Sequence, residues 1–102
     1  MPPKTWKNVE SRIAKMFGTT RTPLSGGNSK HTRSDTLHKR LFIEVKHRKG
    51  GFATTNLFDS CVPLAEAEGK IPVVALHPKQ SKDVYLLVRA NDIKQVAEEI
   101  NV

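Results

Sequence analysis

Asp35-Thr36-Leu37-His38-Lys39-Arg40-Leu41-Phe42-Ile43-Glu44-Val45-Lys46-His47 is the stretch on which the fold turns. Strand parity over residues 41–47 puts Leu41, Ile43, Val45 and His47 on one face and Phe42, Glu44 and Lys46 on the other. Residues 35–38 read as a second short strand. Only eight residues separate Asp35 from Glu44, which predicts two strands joined tightly through Lys39-Arg40. With that connection Thr36 faces Ile43 and Asp35 falls opposite Glu44. Like charges so placed repel unless a cation joins them.

Upstream, Trp6, Val9, Ile13, Met16 and Phe17 recur at helical spacing and predict a helix over residues 5–17, with Thr5 as its N-cap and Gly18 as its stop. Glu10 projects at the border of that helix's apolar face. An extended piece follows over residues 19–23. Residues 24–33, Leu-Ser-Gly-Gly-Asn-Ser-Lys-His-Thr-Arg, are turn formers without periodicity and predict a basic loop. Downstream of Gly50-Gly51, residues 54–68 have helix composition and end at Gly69, with Pro63 predicting a kink or two pieces. Residues 71–77 are an apolar run suited to a buried strand, and residues 83–89 predict another. Ile93, Val96, Ala97 and Ile100 mark a closing helix capped by Asn91. Together these predict an α/β domain over residues 1–102, with a mixed central sheet flanked by helices.

The 102 residues, 37% of them hydrophobic, suffice for one core and not two. Cys61 is the sole cysteine, which excludes an internal disulfide and a thiolate zinc cluster and reads as a small buried hydrophobe. No apolar run approaches the roughly 20 residues of a membrane span, and residues 1–12 lack the apolar core of a secretory signal, so the expectation is a soluble intracellular protein with no membrane partner. The formal charge of +7 is unevenly spread: residues 1–50 hold 12 Lys and Arg against the three acids Glu10, Asp35 and Glu44, and residues 51–102 hold five against seven. A basic half-chain points to a polyanion, and three acids isolated within it point to a site.

Phosphodiester hydrolysis needs charge neutralisation at the phosphate, an activated water and stabilisation of the leaving oxygen. Magnesium takes hard oxygen ligands, usually one or two carboxylates with water and phosphate completing its shell. Asp35 and Glu44, with the backbone carbonyl of Val45 beside them, match that demand, and Lys46 on the face of Glu44 can orient or deprotonate the water. Glu10 is a third carboxylate if its helix packs there. His31, His38, His47 and His77 lack the spacing of a zinc or HNH-type site. An acid and a base two apart on a strand are otherwise an ordinary surface pair; Phe42 on the same face, Asp35 upstream and the isolation of Glu10 weigh against that.

The run Glu10 … Arg21-Thr22-Pro23-Leu24-Ser25-Gly26-Gly27 … Ser34-Asp35 … Phe42-Ile43-Glu44-Val45-Lys46 resembles the archaeal Holliday junction resolvases and related phage enzymes of the PD-(D/E)xK nuclease superfamily. The resemblance is clearest over residues 8–49 and looser beyond, where Gly69-Lys70-Ile71-Pro72-Val73-Val74 looks like the family's strand after its second core helix. It implies a restriction-endonuclease-like fold and a Mg²⁺-dependent endonuclease, with Mn²⁺ able to substitute. By position it makes Glu10 the N-terminal helix carboxylate, Asp35 and Glu44 metal ligands and Lys46 the catalytic lysine; Ser25 or Ser29 matches the serine some resolvases place near the scissile phosphate. Ser34 stands where the motif's name expects proline, and the Asp35 to Glu44 spacing is shorter than in the resolvases.

Arg21, Ser29, Lys30, Arg33, Lys39, Arg40, Arg48 and Lys49 flank the site in sequence and are expected to track DNA through its phosphates. The expected partners are branched or duplex DNA and a second copy of the chain, since one small site cuts one strand. The competing readings are a nicking, homing or restriction-like nuclease of the same fold, and a non-catalytic basic nucleic-acid-binding module.

Overall fold

The computed structural model describes residues 5–23, 32–48 and 52–101. Its elements are helix α1 (Thr5–Met16), strand β1 (Leu41–Arg48), helix α2 (Thr54–Ala67), strands β2 (Ile71–Pro78) and β3 (Tyr85–Leu87), and helix α3 (Ile93–Glu99), which is entered through a 3-10 turn at Ala90–Asp92. Both long helices end as glycine dictates. Gly18 sits at φ +70°, Thr19 N–H donates to the Ala14 carbonyl at 2.9 Å and Gly18 N–H to that of Lys15 at 3.0 Å. Gly69, at φ +66°, repeats the arrangement, with Lys70 N–H on Ala65 and Gly69 N–H on Glu66. These are Schellman closures, which need the left-handed backbone that glycine adopts without strain.

The sheet has the order β1-β2-β3. β1 and β2 are parallel, from Leu41↔Ile71 to Arg48↔Pro78, with α2 as the crossover, and β3 closes antiparallel on β2 through Val74↔Leu87 and Leu76↔Tyr85. The chain is thus a small compact α/β domain with a mixed three-stranded sheet. The strand parity read from β1 holds. Leu41 and Ile43 pack with Val9, Ile13 and Phe17 of the α1 layer, with Val96 of α3 and with Val73 and Ala75. Phe42 packs on the other face with Phe58, Cys61 and Ala65 of α2 and with Val74 and Leu76.

Several expectations are corrected. Residues 35–38 are not a strand hairpinned onto β1. They run beside residues 20–22 instead, through an antiparallel bridge of Thr36 to Arg21, Thr22 N–H on the Asp35 carbonyl and Leu37 N–H on the Thr20 carbonyl, both 2.9 Å. The reason lies in their burial. Thr32, Ser34, Thr36 and His38 alternate inward with exposed Arg33 and Leu37 and half-buried Asp35, so the segment has strand parity with polar groups inside. Those polar groups occupy the outer edge of β1 in place of a ladder. Leu41 N–H donates to His38 Nδ1 at 3.0 Å, Ile43 N–H to Ser34 Oγ at 2.9 Å and Val45 N–H to Asp35 Oδ2 at 2.7 Å. Ser34 Oγ also donates to the Ile43 carbonyl at 3.0 Å, which the Asp35 N–H meets at 2.9 Å.

Pro63 does not divide α2, which runs unbroken through it, and it and Asp59, whose carbonyl loses a donor, both lie on the exposed side. Asn91 does not cap α3; it lies in the preceding 3-10 turn, Asp92 is the residue before the helix, and no side chain caps it. β3 pairs over three residues only, fewer than residues 83–89 predict. α1 ends at Met16, with Phe17 in the Schellman turn, and α1 includes Thr5 instead of being capped by it.

Ser34 is fully buried and its hydroxyl serves both polar atoms of Ile43. Removing it strands a buried amide, which costs about 2 kcal/mol. Ser34→Ala is therefore expected to lower the melting temperature by roughly 10 °C. Ser60→Ala, which removes an exposed bond to the helix's own Leu57 carbonyl, is expected to shift stability by less than about 0.5 kcal/mol. Equal melting of the two variants would refute this account of the β1 edge.

Candidate active site

Glu44 and Lys46 project from β1 toward the α2 face and form an ion pair, Lys46 Nζ to Glu44 Oε2, 3.2 Å, each about a quarter exposed. Asp35 is delivered to the same place by the segment that seals the edge of β1, and the Val45 N–H fixes one of its oxygens. Its partner along the edge is thus Val45 and not Glu44, yet the carboxylates remain neighbours. Burial first, then the charge of Glu44 and more weakly that of Glu10, push the Asp35 pKa up to about 7 against an ordinary 3.8, outweighing the Val45 N–H and Lys46. α1 packs on the sheet, the condition on which the sequence reading made Glu10 a third carboxylate, and Glu10 acts weakly on Asp35. Glu10 is not free: Arg21 Nε and Nη2 both donate to its Oε1, at 3.1 and 3.0 Å.

Cys61 forms the wall beneath. It is a buried hydrophobe, as expected, and burial with the charges of Glu44 and Asp35 raises its thiol to about 12, so it stays protonated. Glu68, at the end of α2, steadies the approach to Asp35 by accepting Thr32 Oγ at 2.6 Å and the Arg33 N–H at 3.0 Å. Burial alone would raise its pKa, but those two bonds and Lys70 hold it below the ordinary value.

The structure brings together Asp35, Glu44, Val45 and Lys46; Glu10 acts only weakly on Asp35 and is engaged by Arg21. The expected DNA contacts are more scattered. Arg21 is spent on Glu10 and stacks over Trp6 at 5.6 Å. Arg40 pairs with Glu99 of α3 at 2.7 Å, where His38 also meets Glu99 at 3.3 Å. Lys39 and Arg40 precede β1, so they lie about 20 Å along the strand from Lys46 at the usual rise. Arg33 is exposed, and Arg48, also exposed, lies 5.6 Å over the Phe52 ring. Ser25, Ser29, Lys30 and Lys49 lie outside the described residues.

Among the described residues, no group of three or more His, Cys, Asp or Glu is gathered closely enough to hold a metal ion by itself. Magnesium asks for less, one or two carboxylates with water and phosphate completing the shell. Asp35 and Glu44 supply two, and the carbonyl of Val45 follows Ile43 to the outer edge by strand parity. The donor set therefore fits a hard divalent cation with open positions. No helix among the described residues is long and apolar enough to cross a membrane.

A second cluster escaped the sequence reading. His47 and His77, each at the end of an apolar run, are register partners in the parallel pair. Their Nδ1 atoms are 2.8 Å apart and their rings 4.8 Å. The signal was present, since the stretches 41–47 and 71–77 read as strands from the sequence each finish on histidine, but parallel pairing has to be known before the two can be placed together. His47 faces away from Glu44, as its parity requires.

Comparison with protein-family models, with curated proteins and with solved structures finds no match to this chain.

Asp35 gives a pH signature with a defined sign. Its pKa is raised on folding, so the folded protein holds that proton more tightly and the resulting stability is full below about pH 4 and lost as pH rises through about 7. The shift corresponds to about 4 kcal/mol at 1.36 kcal/mol per unit, an upper bound for a half-buried group. Asp35→Asn keeps an oxygen for the Val45 N–H and removes the titration. In metal-free buffer the variant is expected to gain on the wild type as pH rises from about 5 to about 8 and to be the more stable at the upper end. A stability difference independent of pH would show that Asp35 ionises there without cost.

Proposed function

We propose that this chain is a divalent-metal-dependent DNA endonuclease, structure-specific and resembling the junction-resolving members of the PD-(D/E)xK nucleases, acting as a homodimer. The observation that carries the reading is the convergence of Asp35 and Glu44 with Lys46 at one edge of β1, Asp35 being pinned there by a backbone amide. Two carboxylates next to a lysine in a chain of net charge +7 make a poor surface ornament and a good cation site. Magnesium, or manganese in its place, would neutralise the phosphate and lower the pKa of a bound water.

Each residue then has a stated task. Asp35, Glu44 and the Val45 carbonyl would hold the cation. Lys46, 3.2 Å from Glu44, would hold the attacking water in line and offset charge developing on the phosphate. Glu10, engaged by Arg21, would stand at the rim as a hydrogen-bond acceptor for water. The neighbouring cations Arg33 and Arg48 meet phosphates, which supplies affinity without sequence choice. Cutting two strands symmetrically requires two copies of so small a domain.

The test is incubation of the protein with Mg²⁺ and, separately, a four-way junction, a flap, a nicked duplex and a linear duplex. The junction is expected to be cut in preference. Glu44→Gln and Lys46→Ala are expected to lose cleavage by about 100-fold or more while still binding the junction, and the loss of a carboxylate does not weaken that binding. Cleavage by Glu44→Gln at the wild-type rate would leave Glu44 and Lys46 as a surface ion pair and overturn the nuclease reading. Equal cutting of linear duplex would overturn the junction preference alone.

A further inference from the structure

At the carboxyl ends of β1 and β2 the fold leaves a cavity of about 960 Å³, lined by Trp6, Arg12, His47, His77 and the turn from Lys79 to Lys82. Among the described residues its walls contain three cations, two histidines and no carboxylate. Carboxyl ends of parallel strands are where open α/β sheets take ligands, and the volume is at the upper end of the range of about 300–1,000 Å³ for small-molecule sites.

The walls are held by specific contacts. Arg12 crosses from α1 to the turn, its Nη2 donating to the Lys82 carbonyl at 2.7 Å and its Nη1 lying 3.4 Å from His77 Nε2. The turn is tied to β1 by Lys79 N–H on the Arg48 carbonyl and closed by Ser81 N–H on that of Pro78. Gln80 occupies the left-handed position at φ +68°, where glycine would be unstrained. Strain of that kind concentrates at ligand sites. His47 Nδ1 lies 2.8 Å from His77 Nδ1 and 3.0 Å from the His77 carbonyl, which ties the two rings together at the floor of the cavity. Trp6, 44% exposed, provides the one broad apolar wall.

We infer that this cavity binds one nucleotide unit, its phosphate held by Arg12, Lys79 and Lys82 and its base packed against Trp6. Cations flanking an aromatic plane match a phosphate joined to a planar base, and base–aromatic packing adds affinity without sequence choice. The inference stands apart from the nuclease reading, since it needs no metal and uses none of the three carboxylates. The two places are nonetheless linked, because Arg21 touches both Trp6 and Glu10.

Trp6 is the only tryptophan and therefore reports on the cavity directly. The experiment is a fluorescence titration of the full chain, in EDTA, with deoxyadenosine 5′-monophosphate, inorganic phosphate and a short single-stranded oligodeoxynucleotide. Saturable quenching by the mononucleotide is expected, with phosphate competing. The Lys79→Ala/Lys82→Ala double variant and Arg12→Ala are expected to weaken it by about tenfold or more. The double variant changes an exposed turn, so it remains decisive if Arg12→Ala fails to fold. Competition by the oligonucleotide identifies the unit as part of a strand, and its failure to compete identifies a free nucleotide; both support the pocket. Quenching that does not saturate, or equal affinity in the double variant, overturns it. Because divalent ions are absent, a protein that binds the mononucleotide but cuts no DNA retires the nuclease reading alone.

Discussion

The outer edge of β1 is sealed by side chains, and the rest of the structure depends on that seal. An edge strand exposes alternate amides and carbonyls that must be paired, solvated or covered. Here Leu41, Ile43 and Val45 each give their N–H to a side chain, of His38, Ser34 and Asp35 respectively. No strand could replace this arrangement without displacing Asp35, because the atom that accepts from Val45 belongs to the carboxylate itself. The segment is fixed at one end by Glu68 gripping Thr32 and Arg33, and at the other by His38 against Glu99. Edge protection and the positioning of Asp35 are thus one set of bonds.

That coupling explains Ser34. Where the nuclease motif is named for proline, this chain has a residue whose hydroxyl serves both the amide and the carbonyl of Ile43 and whose own N–H donates to Thr32 Oγ at 3.0 Å. Proline has neither the hydroxyl nor the amide hydrogen. With an edge organised by Ser34, the short interval from Asp35 to Glu44 is tolerable, since residues 35–38 need not form a ladder with β1 and no two-residue hairpin has to be closed at Lys39-Arg40. Among the described residues no buried side-chain nitrogen or oxygen lacks a partner, although five threonine, serine and histidine side chains line this region.

The parts of the fold that were legible are those written in apolar periodicity. Val9, Ile13 and Phe17 marked α1, the β1 parity separated Phe42 from Ile43, and the glycines at 18 and 69 marked the helix ends; all are local signals backed by burial. The segment from Thr32 to His38 was misassigned because its inward residues are polar, and a pattern search reads polar as outward. The parallel pairing of β1 with β2 was equally out of reach, since it depends on a crossover helix and not on a turn. Within the site, Glu10, Asp35, Glu44 and Lys46 could be named from charge isolation and parity. Their settings could not: that Arg21 is bound to Glu10, or that Arg40 belongs to α3 at the far end of the strand, follows from packing between distant parts of the chain.

The charge distribution acquires a meaning only when the two faces are considered together. On the α2 side the acids crowd, and burial opposes their ionisation, so that Asp35 holds a proton near neutrality unless a cation replaces it. At the carboxyl ends of the strands the cations crowd, and burial, His47 and Arg12 hold His77 below its ordinary pKa, so that His77 adds little charge to three basic side chains. Each arrangement is unfavourable by itself, and each is relieved by an opposite charge from outside the chain. In the proposed reading a divalent cation would relieve the first and a phosphate the second. Arg21 stands between them, with its guanidinium on Glu10 and over Trp6. A polymer carrying phosphates at regular intervals would satisfy both demands at once, which is the ground for proposing a nucleic acid strand over two unrelated small ligands.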